Sequence, residues 1–206
     1  VRPLKWSTVS STAAAMARIK SVAMAVVASV ALMAVMSTYL ASSELIISDI
    51  LGQGDRFPLI FGAVAVALGV ASFVNGLLLR RFGLRRILRA TTFWYVGTAV
   101  GGLVVALAAD GRPSFSIYIV MVGATMASQM VLLPNLTSVA MAPMGAAAGT
   151  AAALLATIST AIGSLLGAVV DSQVSSTVTP LSVAMVVTGV VLNLVMPPLG
   201  RDLPDR

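Results

Sequence analysis

Few side chains in this protein can do chemistry, and those few suit binding and charge placement better than bond-making. Histidine and cysteine are absent, which removes the thiolate nucleophile, the disulfide and the usual ligands of haem and zinc. The seven acids do not converge on an acid–base pair, and no serine is matched with a base. We therefore expect no enzyme activity, no metal and no cofactor. Glu44 is the one acid that can be placed within an apolar run, where a carboxylate could titrate and couple proton movement. Its position at the end of that run, followed by Asp49 and Asp55, argues for a solvated side chain instead. The soft and polar residues inside apolar runs form two groups. Met33, Met36 and Ser37 share a helical face at i, i+3, i+4 spacing, with Tyr39 close by, and Met126, Gln129 and Met130 repeat that spacing. Methionine adapts to varied apolar ligands but is also ordinary core filler. The Gln129 amide needs hydrogen-bond partners and so is expected to face a bundle interior or cavity. Together these are the candidate lining of a cavity for a small apolar compound.

The elements that must position them are membrane spans. Hydrophobic residues make up 58% of the chain, mean hydropathy is +1.01, and 10% of residues are charged, against roughly 25% in an ordinary soluble domain. Charge-free runs cover 21–43, 57–79, 90–109, 113–170 and 172–200, and about 20 apolar residues suffice for a helix to cross the hydrocarbon core. The longest run holds two spans, with a break supplied by Pro134, Asn135, Pro143 and Gly145. The reading is six helices at 21–43, 57–79, 90–109, 115–138, 146–170 and 180–198. None shows the period-two alternation of barrel strands. The fold class is thus all-α membrane, a six-transmembrane-helix bundle over 21–200, with 1–20 as a cytoplasmic linker tail and 201–206 as a cytoplasmic C-terminal tail.

Arg80, Arg81, Arg85, Arg86 and Arg89 fall between the second and third runs. Five cations cannot rest in hydrocarbon, and cytoplasmic loops are the ones that collect Lys and Arg. With that loop inside, six crossings place both ends of the segment in the cytoplasm. Eleven of the thirteen cations then lie inside, Arg56 and Arg112 being the exceptions. Because the net charge of +6 gathers at span ends, it reads as membrane orientation rather than nucleic-acid binding. Residues 1–20 lack the apolar region of a signal peptide. Valine rather than methionine stands first, so the chain is expected to be a piece of something longer.

Gly76-x-Leu78-x-Arg80-Arg81-x-Gly83-x-Arg85-Arg86 resembles the G-x-L-x-D-R-x-G-R-R loop signature of the major facilitator superfamily, which follows the second helix of each six-helix half. Arg80 stands where the amino-terminal copy normally has Asp, a departure usual in the carboxy-terminal copy. The resemblance therefore implies helices seven to twelve of a twelve-helix transporter, with the amino-terminal half as partner. Asn75-Gly76, Pro134-Asn135 and Ala148-Gly149-Thr150-Ala151 are further similar to drug:proton antiporters of the bicyclomycin and chloramphenicol resistance type. What this implies is a plasma-membrane efflux protein that exports small hydrophobic drugs and takes protons as coupling ion. Its coupling acid would lie in the other half. The resemblance also implies that Gly76, Arg80, Arg81, Gly83, Arg85 and Arg86 form a gating loop, for which the bland alternative is topology alone. Gly83 is placed to supply a φ > 0 position. A metabolite facilitator or importer, and a membrane scaffold without transport, remain as rivals.

Glycines four apart recur at Gly97 and Gly101, Gly145 and Gly149, and Gly163 and Gly167. Small residues let membrane helices pack backbone to backbone, either as static seams or as smooth faces that rock during alternating access. Asn135-Leu136-Thr137 fits a glycosylation sequon but falls at the cytoplasmic end of a span. Pro197-Pro198 is expected to terminate the last helix.

Overall fold

The computed structural model describes residues 6–201, and among these the chain is all-helical with no strand. Its helices are α1 (Trp6–Arg18), α2 (Lys20–Glu44), α3 (Phe57–Phe82), α4 (Leu84–Ala108), α5 (Phe115–Met141), α6 (Ala148–Asp171) and α7 (Thr179–Arg201). Five helical runs are long and apolar enough to cross a membrane: Lys20–Ile50, Gly54–Phe82, Leu84–Ala108, Phe115–Asp171 and Thr179–Pro197. The fourth has 57 residues, about 85 Å of helix against a hydrocarbon core of roughly 30 Å. It comprises α5 and α6, parted where Gly145 leaves helical geometry at φ 50 and ψ −123. The protein is a multi-pass membrane helix bundle.

Several helices run past their charge-free stretches, α2 taking in Lys20 and Glu44, α3 reaching Phe82 and α4 beginning at Leu84, because charge marks the edge of hydrocarbon while helical hydrogen bonds continue into the headgroup region. The clearest case is the arginine loop. α3 carries Arg80 and Arg81 in its last turn and α4 opens at Leu84, leaving Gly83 as the sole non-helical residue between them. Pro134 and Asn135 do not break the long run; both lie inside α5. Proline is tolerated in a membrane helix when nearby groups re-satisfy the backbone. The carbonyl freed by Pro134 is that of Met130, and around it the side chains of Asn135, Thr137 and Ser138 add bonds to the carbonyls of Val131, Leu133 and Pro134. Nor do Pro197 and Pro198 stop the last helix, which runs on to Arg201; proline's fixed φ is compatible with helix even where its missing N–H is not replaced. At the far end of α2 the chain widens into a π-helix, Leu45–Ile50, with Leu51 N–H donating to the Ile46 carbonyl at 2.9 Å.

The expected linker tail is helical over Trp6–Arg18. It turns into α2 at Ile19 (φ −85, ψ 109) and tucks Thr12 and Met16 against the bundle, where it meets α2 and α6. Arg2, Lys5, Asp202, Asp205 and Arg206, which enter the charge count above, lie outside the described residues.

α2 is the central post. Val22, Ala25, Ser29, Leu32, Val35, Tyr39 and Ser42 are buried at three- and four-residue spacing, and the helix meets α5, α6 and α7. Its most extensive partner is α6, while α4 joins α5 and α7. α3 is different. Its main neighbour is α5, and only 6% of its apolar window is buried, against 39% for the windows of α2 and α7.

Candidate functional site

The α2–α6 seam gathers several of the candidate residues. Gly163 and Gly167 are buried there. A Cβ on Gly163 would stand 2.6 Å from Met33 Cβ, and one on Gly167 would stand 2.8 Å from the Ala34 carbonyl oxygen and from Ser37 Cβ. Neither space admits a side chain, so the two backbones are in contact. That approach lets Thr38 Oγ1 donate to the Gly167 carbonyl at 3.1 Å, and sets Ser37 Oγ 3.2 Å from Ser164 Oγ. One and two turns further out, Ser42 Oγ donates to the Asp171 carboxylate. Met33, Met36 and Ser37 keep the shared face expected of them and are all half-buried. Tyr39 is on another side of α2, its ring stacked on Phe61 of α3 at 6.4 Å between centroids.

Met126 and Gln129 are not on that face. Both are fully enclosed, and the Gln129 Nε2 points at Met126 Sδ, 3.8 Å away. The Tyr95 hydroxyl of α4 lies beside Gln129 and Thr188, yet neither it nor Gln129 Oε1 makes a hydrogen bond of ordinary geometry. Thr188 Oγ1 reaches the Ala31 carbonyl of α2 at 3.3 Å. A polar node shared by α2, α4, α5 and α7 thus sits near mid-length of all four helices, inside the bundle rather than on an open wall. Met130, one residue on, is half-buried. The structure therefore does not bring the α2 and α5 candidates together into one pocket. A polar depression does occur in the segment between α2 and α3, lined by Ser48, Gly52, Gln53, Gly54, Asp55 and Arg56, none of them among these candidates.

The arginine turn is open. Gly83 takes φ 76 and ψ 159, a region that essentially only glycine enters, and its carbonyl accepts from Ile87 N–H at 3.2 Å. Arg80, Arg81, Arg85, Arg86 and Arg89 are exposed. Gly76 does not pack within this chain, since a Cβ there would meet nothing within 4 Å. The same holds for Gly145 and Gly149: Gly145 is the hinge between α5 and α6 and Gly149 opens outward, so neither packs a helix here.

Sequence reasoning missed the pair that ties α3 to α5. Asn135 Nδ2 donates to Asn75 Oδ1 at 2.9 Å, with both residues buried. The signal was there, since two asparagines in apolar runs need partners; only their mutual distance was hidden. It also missed Tyr95 and Thr188, which pass in a sequence for lipid-facing filler. Comparison with known family models, curated proteins and solved structures finds no match.

Proposed function

We propose that this chain is one six-helix half of a secondary active transporter of the major facilitator kind, exporting small hydrophobic compounds against an inward flow of protons. The observation that carries the reading is the bare face of α3. Gly62, Gly69 and Gly76 stand seven residues apart along one side, and a Cβ on any of them would meet no atom within 4 Å. In lipid, a line of small residues favours close approach of another helix and gains nothing from acyl chains. α6 offers a similar surface at Gly149, Ala153 and Ala156, all exposed. Both faces suit an opposing helical bundle, which is the role of the amino-terminal half in this reading. Met33, Met36, Ser37 and Met130, all partly open, would then line the space between the halves, while Met126 and Gln129 would support it from behind. The exposed turn at Gly83 faces the cytoplasm, with both ends of the segment on the same side, and gates that face.

The test is accumulation of a fluorescent lipophilic drug in cells expressing the whole protein, with and without a protonophore. Lowered accumulation that the protonophore restores supports the reading. Unchanged accumulation rejects export, and export that survives the protonophore rejects proton coupling.

A further inference from the structure

We infer that the polar node in the bundle interior binds a single internal water, held between the Tyr95 hydroxyl, the Gln129 amide oxygen and the Thr188 hydroxyl. Side chains from three helices converge there. The Tyr95 hydroxyl of α4 lies beside both Gln129 of α5 and Thr188 of α7. All three residues are buried, Tyr95 and Gln129 with no exposure at all. Ring and amide are also set from behind. Gly189 backs the Tyr95 ring, where an added Cβ would stand 3.7 Å from Cδ1, and Gln129 Nε2 is turned to Met126 Sδ at 3.8 Å.

The hydrogen-bond inventory of the node is one proton short. Thr188 Oγ1 has spent its proton on the Ala31 carbonyl of α2, at 3.3 Å, and so offers lone pairs only. Gln129 Oε1 is likewise an acceptor, and it is unbonded, as is the Tyr95 hydroxyl. Tyr95 carries one proton and cannot serve two acceptors. Turning the amide over does not help, since Oε1 would then face the Met126 sulfur, which has no proton to give. A water has two donors and two lone pairs. It donates to Gln129 Oε1 and Thr188 Oγ1 and accepts from Tyr95, which leaves every group at the node bonded. Water held by about three polar partners is the ordinary way such buried groups are met. Met126 borders the node, and a thioether on three rotatable bonds yields readily to a small guest. The need is acute at this depth: about 18 Å of helix lies beyond Gln129 on its nearer side, and hydrocarbon supplies no substitute partner. The inference rests on the helix bundle alone and not on the transport reading.

Solid-state NMR of the full chain in lipid bilayers, with isotope-labelled glutamine side chains, tests it. The sequence has three glutamines, and Gln53 and Gln173 lie in segments between the long helices. The one buried amide is then assigned by its loss in Gln129→Met. Magnetisation started on water protons is expected to reach the Gln129 amide, while its exchange into heavy water stays much slower than that of Gln173. Transfer to Gln53 and Gln173 but not to Gln129 overturns the proposal, and is the result if Tyr95 closes directly on the amide. Exchange at Gln129 as fast as at Gln173 overturns it too, as open solvent rather than a held water. Tyr95→Phe with Thr188→Val removes two of the three partners. In a variant whose Gln53 and Gln173 signals are unmoved it is expected to abolish the transfer, and full persistence of the transfer overturns the proposal as well.

Discussion

Glycine does opposite work on two sides of this bundle. Along the α2–α6 seam, Gly163 and Gly167 are where two backbones touch, and a Cβ on either would lie under 3.0 Å from its neighbour. Along α3, Gly62, Gly69 and Gly76 face open space. The residue type is the same, spaced four apart on α6 and seven apart on α3; what separates the two faces is the presence of a partner. A glycine in a membrane helix is therefore a request for close approach, and the bundle grants it at α6 while leaving it unanswered at α3. Because lipid tails are as apolar as leucine, helix association depends on dispersion and a few polar bonds, so a face that forgoes side-chain bulk without a neighbour gains nothing from doing so.

The largest expected effect separates these two faces directly. Gly167→Leu forces a branched side chain into contact with the Ala34 carbonyl and Ser37, and the helices must part along their whole seam. We expect a loss of about 3 kcal/mol or more, the upper end of overpacking costs, read as a fall in the midpoint of detergent-driven unfolding of the purified chain. At Gly69 an added Cβ meets no atom within 4 Å, so Gly69→Leu is expected to change that midpoint by no more than about 0.5 kcal/mol, while abolishing the proposed export if α3 faces the other half. Equal losses from the two substitutions in the purified chain would erase the distinction.

The middle-sized effect concerns what α3 does hold on to. Its polar tie to the bundle is the Asn75–Asn135 amide bond, at 2.9 Å. Asn135→Ala removes the donor and strands the buried Asn75 Oδ1, at a cost of about 1–2 kcal/mol. Because α3 is otherwise little buried, the damage is expected to be local. Hydrogen exchange should quicken in α3 and stay slow in α2 and α6. Uniform quickening across all helices would show α3 to be as integral as the seam, contrary to the contrast drawn here.

These same residues show how far a sequence carries such a protein. Charge-free runs bounded by Lys20, Glu44, Arg56, Arg80 and Arg89 locate the spans, because expelling charge from hydrocarbon is a one-dimensional constraint. That Gly83 could take positive φ was legible because glycine does so at no steric cost; that it alone would part the two helices was not, since the charge-free runs left residues 80–89 between them. Partner choice is not local. Gly145–Gly149 and Gly163–Gly167 have identical spacing, yet only the second pair finds a neighbour, since the first sits at the α5–α6 break where the chain is turning away. Gln129 could be read as inward-facing from its amide alone. That its company is Tyr95 and Thr188, rather than Met33 and Ser37, depends on how four helices are rotated about their axes, which periodicity leaves free.

The smallest effect asks what holds the seam, polar bonds or close packing. Thr38 Oγ1 bonds the Gly167 carbonyl across the seam at 3.1 Å, but it also bonds the Ala34 carbonyl of its own helix at 3.0 Å. Valine has nearly the same shape, so Thr38→Val deletes the hydroxyl with little change in contact. Because the Gly167 carbonyl still has its place in the α6 ladder, and the hydroxyl was shared with Ala34, the loss should be about 0.6 kcal/mol, near the mean for interhelical bonds in membrane proteins. Under the same detergent titration it should shift the midpoint far less than Gly167→Leu does. A Thr38→Val loss that rivals the glycine substitution would mean that the hydroxyl, not the missing side chains, draws α2 and α6 together. The bare glycines of α3 would then no longer imply a partner.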